Sequence, residues 1–408
     1  MTTPSSVLLR FISLLTCLLS VTSSFAQSSG GFRPDPNLEA HAVAWQADGR
    51  MLIAGDFTQV SGVPRSRIAR LFADGSLDPS FSVNVSGGGI RAMLIEPDGR
   101  IIIAGNFSEI PATSRSRIAR LNADGSLDPT FNPGANAFVH ALVRNPDGKY
   151  IVAGNFTQFS GQSRNYIARL NANGSLDSSF EIQANNLVFE LHRQSDGKLL
   201  LGGSFTMLGG ITRNRIARPT AYGLLDATFN PNANDIVEKI ASTADGMIYV
   251  GGPFTTIGGQ SGSHFVRLRA DGSVDNLNRS ADSSVLALAA QSDGGVVIGG
   301  TFTNFGGEPR QRIARLTPSG ALDENFAPVA GNTVTLLSEQ ADGRIIVGGG
   351  FATFSGQPRS WLARLESVGT LDDTFKLTIT PGMHVDAIAG QGDGRVLLGG
   401  ALAVSGAT

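Results

Sequence analysis

Val139-His140-Ala141-Leu142-Val143, then Asn145-Pro146-Asp147-Gly148, then Tyr150-Ile151-Val152-Ala153-Gly154-Asn155-Phe156 is the stretch that decides the fold. Two runs of β-type residues flank a Pro-Asp-Gly turn, which predicts a tight hairpin with positive φ in its turn. A longer polar loop follows over residues 157–164, then a third run, Tyr166-Ile167-Ala168-Arg169-Leu170, and a second turn at Asn173-Gly174. The unit closes with Ser175-Leu176-Asp177-Ser178-Ser179-Phe180, which reads as a short fourth strand. Apolar residues fall on both faces of the first two runs, the pattern of sheets covered on two sides.

The same unit recurs along the chain. Its Asp-Gly pair appears at Asp48, Asp98, Asp147, Asp196, Asp245, Asp293, Asp342 and Asp393, at intervals of 48 to 51 residues. Four short strands per repeat of about 50 residues is the arithmetic of a propeller blade, and a single repeat cannot bury its own apolar faces. A linear string of hairpins would leave strand edges open. The expected fold is therefore all-β, a β-propeller of four-stranded blades.

Seven copies run through the whole unit. The eighth stops at Gly399-Gly400-Ala401-Leu402-Ala403-Val404-Ser405-Gly406, where the others continue into a third strand. Phe32-Arg33-Pro34-Asp35-Pro36-Asn37 resembles the end of a repeat, as in Phe131-Asn132-Pro133-Gly134-Ala135-Asn136. Seven blades with a surplus half repeat is the reading, with an eight-bladed ring holding an incomplete last blade as the alternative. A truncated reading frame would account for the abrupt end in either case.

The chain has 408 residues, a formal net charge of −2 and 16% charged residues, which argues against disorder and against general attraction to nucleic acid or anionic membranes. Residues 1–26 read as a secretory signal peptide: Arg10 precedes a short apolar core, Phe11 to Val21, and Ser24-Phe25-Ala26 offers small residues for cleavage. That core is shorter than the about 20 residues a bilayer span needs, so no transmembrane segment is expected after cleavage. Residues 27–37 form an N-terminal segment carrying the repeat tail, and 38–408 the propeller. Cys17 is the only cysteine, so the mature chain would rely on burial and hydrogen bonds rather than disulfides. This predicts a bacterial export route, ending outside the cell, in the periplasm or on the surface.

Two recurrences have structural explanations. An arginine ends the third strand in all seven complete copies, from Arg70 to Arg364, and an aspartate follows eight residues later, from Asp78 to Asp372. One bidentate Arg–Asp pair per blade would brace the hairpin at that end. Phenylalanines that end the second strand (Phe57 to Phe351) and the fourth (Phe81 to Phe375) read as core between blades. Each Asp-Gly turn carries one acid, too few oxygens for a calcium loop, and no metal or cofactor is expected.

Positions where the copies disagree are where a binding site could be built. Seven residues before the turn aspartate stand His41, Arg91, His140, Phe189, Glu238, Leu286, Thr335 and Asp386. They begin the strand expected nearest the axis, so a closed ring would gather His41, Arg91, His140, Glu238 and Asp386 at one mouth of the channel. Catalytic spacings are otherwise absent: the five histidines show no metal-ligand pattern, and no glycine-rich phosphate loop precedes a helix.

The pattern Ala-Leu-x-x-x-Pro-Asp-Gly-Lys-x-x-Val-Ala-Gly, followed by Ile-Ala-Arg-Leu-Asn-Ala-Asp-Gly-Ser-Leu-Asp-x-x-Phe, resembles the delta-60 repeat of bacterial β-propeller proteins. The likeness is nearly intact over residues 90–180 and covers about 38–406. It implies an exported or surface-associated propeller beside adhesion-like modules, with no established reaction and no catalytic residues to carry over. Departures are Arg218-Pro219, the degenerate fifth copy around Asn276-Leu277-Asn278, and the missing end. The expected function is an exported, non-enzymatic scaffold binding a protein or cell-surface polysaccharide. The alternatives are a polysaccharide hydrolase or lyase using Glu238, Asp386, His140 and Arg91, and a structural spacer in a larger surface protein.

Overall fold

A computed structural model describes residues 40–373, apart from 61, 73–75, 111–112, 221–222, 276–278, 341 and 360–361, together with the strands His384–Gly390 and Val396–Ala401. The expected signal segment (1–26) and repeat tail (27–37) lie outside the described residues, as does Phe375. Every regular element among the described residues is a β-strand.

The first repeat forms an antiparallel sheet of an inner strand (Ala40–Trp45), a middle strand (Met51–Gly55) and an outer strand (Ile68–Leu71). Six further repeats form the same three-stranded sheet, and His384–Gly390 pairs with Val396–Ala401 as an inner–middle hairpin. Each inner strand packs beside the next. The strand His384–Gly390 lies against both Val334–Glu339 of the seventh repeat and Ala40–Trp45 of the first, which closes the circle. The chain is thus a propeller of seven complete blades, with its surplus half repeat seated between the last and the first.

Turn chemistry behaves as the sequence demands at the inner–middle hairpin. Gly49 takes φ 80° while Asp48 stays out of the left-handed region and its Oδ1 accepts from the Arg50 N–H at 3.0 Å. Only the glycine needs positive φ. The fourth strand shrinks to one antiparallel bridge per blade, such as Leu121 with Leu127. Beyond it the Asp128 side chain takes the Thr130 N–H, and Pro129 has no N–H to offer, so no ladder extends. The polar loop instead contains a two-residue hairpin, Gln158–Phe159 with Gln162–Ser163. At the Arg218-Pro219 departure the outer strand is cut to Ile216–Ala217.

Hydrophobic layers lie between blades. Leu52, Ala54, Ile68 and Phe81 of the first repeat share one core with Ile101, Ile103, Phe107 and Ile110 of the second. The recurring phenylalanines are fully buried, as Phe57, Phe107, Phe131 and Phe156 show. Burying each contributes about 1.5–3 kcal/mol.

The Arg–Asp pair forms in every complete repeat and does more than brace its own hairpin. Arg120 Nε donates to Asp128 Oδ2 at 2.7 Å, while Thr130 N and Oγ1 donate to Oδ1 at 2.9 and 2.6 Å. Arginine and hydroxyl thus divide the carboxylate, rather than arginine spanning both oxygens. Arg120 Nη1 reaches the Ala172 carbonyl of the next blade at 2.7 Å, and its guanidinium sits 4.6 Å from the Phe131 ring centroid. Arg70 repeats this with Asp78, Ala123 and Phe81. Arg218 and Arg315 reach the Ala270 and Ser367 carbonyls of the next blades likewise, so these arginines are clasps between blades.

Candidate functional site at the channel mouth

The inner strand begins, and the middle strand ends, at the same end of the blade, since Ala40 pairs with Gly55 and Val139 with Gly154. This end is the mouth. The inner ladder skips one residue there: the register jumps from Ala40 to Ala42, Ile90 to Ala92, Val139 to Ala141, Val188 to Glu190, Val285 to Ala287, Val334 to Leu336 and Val385 to Ala387. The skipped residues are His41, Arg91, His140, Phe189, Leu286, Thr335 and Asp386, so the divergent position of the repeat is a β-bulge. Bulges re-aim a side chain out of the ladder. The bulge also folds the inner strand onto the middle one, and a Cβ on Gly154 would lie 2.0 Å from the Phe138 carbonyl.

Three of the five expected residues join in an arc across the first three blades. His41 Nε2 and Arg91 Nη2 each lie 3.0 Å from the same oxygen, Asp56 Oδ2. Arg91 then stands 5.8 Å over the Phe138 ring, which tilts against the His140 imidazole at 4.2 Å between centroids. His140 Nε2 is 2.7 Å from Asn155 Oδ1. Burial pushes the His140 pKa below its usual value and the charge of Arg91 adds to this, against the opposing pull of the Asn155 bond. Burial and the Arg91 charge both favour the neutral imidazole.

Glu238 stands two blades beyond His140, just ahead of the strand Lys239–Ser242, where its N–H donates to the Gly251 carbonyl at 2.9 Å. Asp386 occupies the bulge of the last hairpin, and its side chain lies outside the described residues. The sequence reading overlooked Asp56 and Asn155. Both follow the last glycine of the middle strand, a position that also varies (Asn106, Ser204, Pro253, Thr301, Gly350), so the same within-chain comparison would have found them. The backbone beneath is held by residues in left-handed conformation: Arg67 at φ 70° donates to the Asp56 carbonyl, and Arg117 at φ 72° to that of Asn106 at 2.8 Å.

Deeper in the channel, two polar pairs bridge the fourth and fifth inner strands. Glu190 meets Lys239 at 3.4 Å, and His192 Nε2 lies 2.8 Å from Ser242 Oγ. Burial raises the Glu190 pKa against the attraction of Lys239, and burial lowers that of His192. At the turn end, Tyr150 donates to the buried Glu96, and burial together with that carboxylate pushes the phenol up to about 12.

Among the described residues, no three His, Cys, Asp or Glu side chains come close enough to hold a metal ion. No helix among them is long and apolar enough to cross a membrane.

Comparison with curated proteins finds no match. Among solved structures, the chain is similar to the WD40 beta propeller domain of Doa1, with 14% identity, a TM-score of 0.49, and coverage of 85% of this chain and 96% of that one. It is also similar to the extracellular domain of BT4673 from B. thetaiotaomicron (11%, TM-score 0.47, 84% of this chain, 39% of that one). Virginiamycin B lyase from Staphylococcus aureus gives 15% identity and a TM-score of 0.46, over 78% of this chain and 98% of that one. Seven segments, residues 46–81, 96–131, 145–180, 194–229, 243–277, 291–326 and 340–375, match the family model "Domain of unknown function (DUF5122) beta-propeller". With one match in each complete blade and well over half the chain covered, the protein belongs to this DUF5122 β-propeller family.

Proposed function

We propose that the protein is an exported, non-enzymatic propeller, built of delta-60-type repeats, whose variable mouth arc binds a protein or a cell-surface polysaccharide. One observation carries the reading: on a frame repeated seven times, the residue expelled from the ladder by the bulge differs from blade to blade, and three such residues are organised around Asp56 and Asn155. A rigid frame that presents divergent side chains around one opening suits recognition. The polar groups are engaged with one another. Asp56 Oδ2 serves both His41 and Arg91, which makes it a hub that fixes two donors rather than a base for one.

The test uses the purified chain on a printed glycan array and against isolated bacterial cell-envelope polysaccharide and surface protein. Binding that disappears in the double variant Arg91→Ala/His140→Ala, with the circular dichroism spectrum unchanged, supports the mouth. Glycan turnover abolished by Glu238→Gln and Asp386→Asn would make the protein an enzyme and overturn the scaffold reading.

A further inference from the structure

We propose that the cleft between the second and third blades, on the mouth face but outside the channel, binds a neutral saccharide unit through Ser114, Ser116, Asn132, Gln158 and Ser160. This site goes beyond the mouth arc and does not depend on it. The cleft encloses about 420 Å³, toward the small end of ligand sites, which span about 300–1,000 Å³. The segment 132–136, crossing from the outer edge of one blade to the inner strand of the next, forms its floor. Asn136 Oδ1 anchors that floor by accepting from Thr157 N and Gln158 N, and Ala135 N donates to the Ser116 carbonyl.

The lining chemistry selects the ligand class. Three hydroxyls (Ser114, Ser116 and Ser160) and two amides (Asn132 and Gln158) converge, and no charged or aromatic side chain joins them. Their side-chain ends bond to no other described residue. Hydroxyls and amides both donate and accept, matching the paired donor and acceptor character of sugar hydroxyls. An anion or a cation would find no counter-charge there.

The repeats supply a comparison within one molecule. At the position of Gly134 the other described crossovers carry Asn84, Gln183, Asn232, Ser280 and Val329. Gln183 turns into the equivalent space and its Oε1 accepts from Asn165 N at 3.1 Å. Asn232 accepts from Asn214 Nδ2 at 2.5 Å, and the cleft there falls to about 310 Å³. Only Gly134 adds nothing. Its backbone does not require glycine: φ is ordinary, and an added Cβ would have Ser116 Cβ at 3.7 Å as its nearest neighbour. The consequence of glycine at 134 is the open space itself.

Isothermal titration calorimetry of the full chain with cellohexaose, xylohexaose, mannohexaose and chitohexaose tests the site. At least one probe should bind, and Gly134→Gln, which copies the residue found at 183, should weaken it by about tenfold or more through lost space and hydrogen bonds. Asn132→Ala/Ser160→Ala, on exposed side chains, should weaken it similarly and guards against a folding artefact in the first variant. The control variant Leu224→Ala, at an exposed position away from both cleft and mouth, should bind as the parent does, and the mouth variant Arg91→Ala/His140→Ala separates binding in the cleft from binding at the mouth. Silence from all four probes, or undiminished binding by both cleft variants, overturns the proposal. Loss in the mouth variant alone would move saccharide binding to the mouth and remove it from the cleft.

Discussion

At the turn end, every complete blade pairs the same arginine with the same aspartate, and in the first, second, third, fourth and sixth the guanidinium also lies over a phenylalanine ring. At the mouth end, one backbone position holds histidine, arginine, phenylalanine, leucine or threonine according to the blade. The bulge at the mouth recurs in every repeat but the fifth, so recurrence of a backbone feature does not dictate sameness of side chain. Burial does. Arg120 and Asp128 are 3% and 6% exposed, and each group must find its partner or pay full desolvation. A bulged residue leaves the ladder and is only partly buried, as Arg91 and His140 are, so that demand falls on it less heavily.

The contrast breaks most clearly at the turn end. Arg120→Ala should lower stability by about 3–5 kcal/mol, because it strands a buried carboxylate and frees the Ala172 carbonyl; urea denaturation measures it. Gly174→Ala should cost about 1–3 kcal/mol, since the residue has φ 87° and its Cβ would press within 2.6 Å of the Phe131 ring.

Acid sharpens the same contrast. Burial alone would raise the Asp128 carboxyl, but bonds from Thr130 and Arg120 outweigh it and hold the pKa near about 2. A depressed folded value stabilises above the unfolded pKa of about 4 and is lost as pH falls towards 2. The denaturation midpoint should therefore drop across that window, and Asp128→Asn should flatten part of the drop. Asp78 and Asp226 shift in the same direction for the same reasons. At the mouth, Arg91→Ala should change stability by no more than about 1 kcal/mol, because its ion pair with Asp56 is partly solvated; thermal melting checks it. A loss there as large as that of Arg120→Ala would erase the distinction between the ends.

Much of the fold was legible because one physical solution is written repeatedly. The Pro-Asp-Gly turns, the alternating runs and the buried phenylalanines each carry a local signature. The bulge was not legible, because one extra residue in a ladder alters register without altering hydrophobic pattern. Asp56 and Asn155 were missed because they come from the middle strand, about 15 residues from the groups they touch. The arginine clasp was expected within a blade, and only stacking reveals that Arg120 also grips Ala172. The paired strands at 158–159 and 162–163 are too short for any periodicity to announce them.

The oily layers between successive complete blades draw on both sheets, so no such blade owns the material that stabilises it. Excising one repeat would uncover two surfaces at once and leave both neighbours facing partners never matched to them. Such a molecule should melt as a single cooperative unit, and its repeats should evolve as coupled neighbours rather than as interchangeable beads.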